Sequence, residues 1–121
     1  MVQSNRNLPA WPGVAGGLLA ATAIALAAYA AHGVADAHAR ANLETACLYA
    51  FGHGIALACL RGQLRGLLSR LALGAILLGS LLFAGSLAGN ALAGWPTRLA
   101  PAGGSLMILG WLGWAVAALR R

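Results

Sequence analysis

The chain has 121 residues, 60% of them hydrophobic and 8% charged, with eight arginines, no lysine and two acidic residues for a formal charge of +6. Soluble domains carry about 25% charged residues, so a soluble globular domain is excluded, and with no basic face bearing interleaved aromatics, nucleic acid is excluded as well. What remains is one all-α membrane domain with no room for a soluble catalytic module.

Residues 1–12 form a tail carrying Arg6. A membrane domain over 13–121 follows, built from four predicted spans, since a hydrocarbon core of about 30 Å calls for about 20 apolar residues per helix. The first is Gly13–Ala31. Arg6 ahead of it and Ala28-Tyr29-Ala30 near its end imitate a secretion signal. The apolar stretch is longer than the roughly 7–15 residues of a signal's hydrophobic region, so the helix is expected to be retained.

The second span is Leu43–Leu60, with Asn42 as its expected cap and Glu44 in its first turn, where the helix dipole favours a carboxylate. Cys47 and Cys59 lie about 18 Å apart along it, too far for a disulfide between them, and read as small apolar residues. The third span, Leu71–Leu92, carries Gly85 and Gly89 as a GxxxG pair, a small-residue face suited to helix packing within the bundle or between copies. The fourth, Leu99–Leu119, follows Pro96 and has Pro101 in its opening turn, where proline is tolerated. Short links make consecutive helices antiparallel, and an up-down four-helix bundle is the expected fold.

Arginine placement orients the bundle. Arg6, Arg61, Arg65, Arg70, Arg120 and Arg121 fall on one side, while Arg40 and Arg98 fall on the other and are partly offset by Asp36 and Glu44. By the positive-inside rule both termini are cytoplasmic, and Trp11 and Trp95 then stand at opposite interfaces as aromatic anchors. The inner-face arginines meet anionic lipid.

Polar residues gather at two depths. Thr22, His53, Ser80, Ser105 and Met107 lie about 9 to 15 Å from a surface and form a midplane layer. Thr45, Tyr49 and His53 recur every fourth residue, giving a polar stripe that leads inward along the second helix. An ionisable residue within a span is a functional candidate, and His53 qualifies as a proton-handling or ligand-binding group. The plainer alternative is a neutral imidazole bonded to Ser80, Ser105 or Thr22 on a neighbouring helix. Near the outer rim His32, Glu44 and Asn90 share a level, and the hairpin between the first two spans is expected to bring His32 within reach of Glu44, as a binding spot or a simple rim ion pair. Glu44 and His53 point about 180° apart, so they belong to different sites. Tyr49, Trp111 and Trp114 read as packing and interface residues.

No cofactor or metal follows from this set. His32 and His53 differ in depth by about 15 Å and cannot be the axial ligands of one haem. His53 with Met107 is a geometric possibility only. A zinc site needs three or four converging ligands, and the spacing of His32, His38 and Glu44 is not diagnostic of one.

Several segments resemble a known family: Ala31-His32-Gly33, Glu44-Thr45-Ala46 with Tyr49 and His53 following, Leu82-Phe83-Ala84-Gly85-Ser86-Leu87, and Pro101-Ala102-Gly103-Gly104 through Gly110-Trp111. They look like the YgdD-like small inner-membrane proteins, grouped as domain of unknown function 423, with a eukaryotic relative called transmembrane protein 256. The resemblance covers nearly the whole chain after Gly13. It implies four membrane helices and a bacterial inner-membrane location, and no activity. One departure from the family pattern is the shorter first outer loop, Asp36-Ala37-His38-Ala39-Arg40.

The function expected on these grounds is that of an accessory, assembly or scaffold protein binding a membrane protein partner, a second copy or membrane lipid, with Gly85 and Gly89 as the small-residue face. The alternative is a proton or small-solute conductor or carrier using the Thr45-Tyr49-His53 stripe, against which Ala56, Leu57, Cys59 and Leu60 form an apolar plug below His53. A membrane enzyme is disfavoured, because one histidine and one carboxylate on opposite helix faces make no acid–base pair.

Overall fold

The computed structural model describes residues 8–120, so Arg6 and Arg121 lie outside the described residues. Four helices form: α1 over Trp11–Gly33, α2 over Ala37–Leu60, α3 over Gly66–Ala93 and α4 over Leu99–Leu119, with a 3₁₀ turn at Arg61–Gln63. All four are long and apolar enough to cross a membrane. α4 has the predicted limits, and the other three helices extend beyond theirs.

α2 differs most. Asp36, not Asn42, caps it, its side chain accepting from the Ala39 backbone N–H at 2.8 Å. The run Ala37-His38-Ala39-Arg40-Ala41 is polar enough to lie outside the hydrocarbon and rich enough in alanine to stay helical, so α2 begins about 9 Å ahead of the apolar run. Arg40 closes the remaining link, donating from Nε at 3.0 Å and from Nη2 at 2.7 Å to the Val34 carbonyl at the end of α1.

α2 and α3 pack at the centre, α1 flanks α2, α4 flanks α3, and α1 and α4 share almost nothing. The two hairpins are drawn tight by glycine. A Cβ on Gly16 would run into the Gly54 carbonyl, and one on Gly54 would stand 2.7 Å from the Gly16 carbonyl, so the α1 and α2 backbones touch there. In the second hairpin a Cβ on Gly79 would stand 2.7 Å from the Met107 nitrogen, and one on Gly103 2.5 Å from the Phe83 nitrogen. Small residues are what permit such backbone contact in lipid, where water supplies no hydrophobic drive between helices.

The predicted GxxxG pair is not one of these crossings. Gly85 has nothing within 4 Å of a notional Cβ, and Gly89 lies beneath the indole of Trp95. The cause is the end of α3, where Gly94 takes a left-handed φ of 70° and donates to the Asn90 carbonyl at 3.0 Å, turning Trp95 back over the helix. Gly89 is therefore covered by the chain's own Trp95, while Gly85 stays open.

The core is divided. Toward the α1–α2 link it is mostly alanine (Ala23, Ala30, Ala46, Ala50 and Ala84 with Leu43 and Cys47). Toward the other end Leu57, Leu64, Leu73 and Ile76 take over, with Trp11 and Trp114 packed on them. Outward-facing side chains are large and apolar, Leu48 at 70% and Ile108 at 63% exposure among them, as a surface bathed in lipid requires.

Candidate functional site

Because α1 and α4 flank opposite sides of the central pair, a groove opens laterally on each side. One, of about 160 Å³, lies between α1, α2 and α3, with Thr22, Cys47, Ser80 and Gly85 on its walls. The other, of about 360 Å³, lies between α2, α3 and α4 and holds most of the aromatic and polar chemistry: Tyr49, His53, Phe83, Met107 and Trp111. Gly104 on α4, about 3.8 Å from the Phe83 ring at its notional Cβ, leaves space for that ring. Tyr49 meets Phe83 edge-on with centroids 4.7 Å apart and stacks over His53 at 6.0 Å.

The partners of His53 define its state. Nδ1 lies 2.8 Å from the Tyr49 carbonyl oxygen, which can only accept, so Nδ1 carries the proton. The Trp111 indole N–H, which can only donate, reaches Nε2 at 3.1 Å. In this arrangement Nδ1 donates and Nε2 accepts, and the ring ties α2 to α4. No lone pair is left for a metal, which removes the pairing of His53 with Met107 as ligands.

The hydroxyls of the midplane layer turn elsewhere. Ser80 is fully buried and donates to the Ile76 carbonyl at 2.6 Å, while Ser105 donates to Pro101 at 2.9 Å. Thr22 is exposed. The expected bond from His53 to one of these hydroxyls is replaced by the indole of Trp111, a residue whose polar edge is easily missed in an apolar run. The signal available in the sequence was its spacing, since Gly104, Met107 and Trp111 fall on one face of α4.

The double-mutant cycle of His53→Leu and Trp111→Phe measures this bond. Interhelical hydrogen bonds in membranes average about 0.6 kcal/mol and reach about 1.7 kcal/mol, so a coupling within that range is expected from unfolding in detergent. Strict additivity would refute the bond.

At the α1–α2 link end the expected pairing of His32 with Glu44 is absent. Glu44 stands beside Ala23, Ile24 and Ala27 of α1, and His32 lies about 7.5 Å farther along α1 than Ala27. Both are exposed, and no ion pair joins them. The shared level rested on starting α2 at Leu43; with the helix starting at Ala37, Glu44 sits deeper. Asn90 is instead the organising residue of this end. It accepts from the Asn42 side-chain amide at 2.8 Å and donates to the Trp95 carbonyl at 2.8 Å, and His38 Nε2 lies 3.5 Å from the same Asn42 nitrogen. Thus the residue expected to cap α2 bridges α2 to α3.

A family model described as "Protein of unknown function (DUF423)" matches residues 26–104, more than half of the chain. No solved structure matches it.

Proposed function

The chain belongs to the DUF423 family, whose description carries no activity, and from that premise we propose that it is a bilayer accessory or scaffold protein, holding a helix of a membrane protein partner in the lateral groove of Tyr49, His53, Phe83 and Trp111. The observation that carries this reading is the state of His53. The most deeply placed ionisable group has both ring nitrogens engaged within the protein and faces sideways into an apolar groove, an arrangement suited to packing against a neighbour. A conductor would need that group free in a polar path, so the carrier alternative loses its central residue.

The same reading puts the protein in a bacterial inner membrane with both termini cytoplasmic. It is supported by Arg61, Arg65, Arg70 and Arg120 at one end of the bundle against Arg40 and Arg98 at the other.

The test is a photo-crosslinking residue at Ile108, on the groove wall, compared with one at Leu18 on the far side of α1. In native membranes a discrete protein adduct is expected from Ile108 and not from Leu18. Proteoliposomes of the pure protein should hold a proton gradient as well as empty liposomes do. His53-dependent proton flux would overturn the proposal in favour of the carrier.

A further inference from the structure

The end of the bundle that holds the α2–α3 turn and the close of α4 carries Arg61, Arg65, Arg70 and Arg120, with no acidic side chain among the described residues beside them. The chain's two acidic side chains, Asp36 and Glu44, belong to the other end. Glu44 is about 25 Å from Arg61 along α2, beyond a Debye length of about 8 Å at physiological ionic strength. Arg61 is engaged, donating from Nε to the Pro9 carbonyl at 2.5 Å and from Nη2 to Leu8 at 3.2 Å. The guanidinium groups of Arg65 and Arg120 make no hydrogen bond or ion pair with the described residues, and both side chains are exposed.

Arg65 and Arg120 line one open cavity of about 610 Å³, and its remaining wall is aliphatic, formed by Leu67, Leu68, Leu71 and Ala117. Leu67 is 73% and Leu71 62% exposed along the flank of α3 that runs from the arginines toward the middle of the bundle. Two cations above an aliphatic wall form the chemical complement of one kind of molecule, with an anionic oxygen-rich head and a hydrocarbon tail.

We infer that this cavity is a binding site for an anionic glycerophospholipid, its headgroup phosphate held between Arg65 and Arg120 and an acyl chain laid over Leu67 and Leu71. Guanidinium is suited to the role because its planar fork donates paired N–H bonds to phosphate oxygens. A second copy of the chain does not fit, since in parallel orientation it would bring arginines against arginines. The inference rests on the membrane-spanning fold alone and holds whatever occupies the groove on α2 and α4.

Native mass spectrometry of the full chain, released from mild detergent containing equal amounts of phosphatidylglycerol and phosphatidylcholine, reads the site directly. Retention of one phosphatidylglycerol in preference to phosphatidylcholine is expected, and with each surface arginine contributing about a factor of five, Arg65→Gln with Arg120→Gln should weaken it roughly 25-fold. The Arg65→Lys, Arg120→Lys variant should keep part of the preference, and Arg98→Gln, at the opposite end, should keep all of it. Equal retention of the two lipids by the unaltered protein would overturn the inference even if the double variant failed to fold. So would displacement of the lipid by millimolar inorganic phosphate, which would reduce the site to one for free phosphate. Failure of the Ile108 crosslink leaves this preference unchanged, so the two proposals fail separately.

Discussion

Gly79→Val and Gly103→Val should each cost about 3 kcal/mol, the upper part of the range for overpacking, and should lower the yield of folded protein in detergent. At both positions the obstruction is backbone. The Met107 nitrogen and Gly103 carbonyl lie 2.7 and 2.8 Å from a notional Cβ on Gly79, and the Gly79 carbonyl lies 2.8 Å from one on Gly103. A side chain could rotate away, but a helix backbone must translate, and moving α4 off α3 dismantles the whole crossing. Gly85→Val on the same helix is the control, since nothing lies within 4 Å of its notional Cβ and glycine is itself a poor helix residue. Equal losses at Gly79 and Gly85, measured by thermal unfolding, would show that propensity and not the crossing governs α3.

Asn90→Leu should be the next most damaging change, at about 1 kcal/mol, because it removes two hydrogen bonds at once. The Asn42 amide loses its acceptor across the α2–α3 interface and the Trp95 carbonyl loses its donor. The loss should fall substantially in the double variant Asn42→Leu with Asn90→Leu, where one of the two orphaned groups is removed as well. Thermal unfolding in detergent separates the cases, and an Asn90→Leu protein as stable as the parent would mean that the bridge carries no weight.

The four helices were legible because each is an apolar run of membrane length, a signal that the bilayer itself imposes. The limits of α2 were not, because an apolar run marks where the hydrocarbon begins and not where the helix does; Ala37, Ala39 and Ala41 lie outside the first and inside the second. That error carried over to Glu44, whose depth was counted from the wrong residue, and so to its supposed meeting with His32. His53 was legible as the deepest ionisable group. Its partner was not, since depth along a helix fixes one coordinate and the rotation of α4 about its axis fixes the other. Gly85 and Gly89 form a well-spaced motif that this fold does not use as a crossing within the bundle, while Gly16, Gly54, Gly79 and Gly103 make close contacts with no glycine four residues away in sequence.

Both glycine crossings join helices that are consecutive in the chain. Gly16 and Gly54 meet only each other's helices, and so do Gly79 and Gly103, so each hairpin carries its own closure. Arg61, just past α2, donates to the Leu8 and Pro9 carbonyls and ties the residues ahead of α1 to the end of the first hairpin. The second hairpin is closed in the same way, and the two pairs are joined by the apolar core that α2 and α3 share together with the Asn42–Asn90 amide bond and the His53–Trp111 bond. Each hairpin is thus closed by its own glycines, and the seam between α2 and α3 decides how the halves meet.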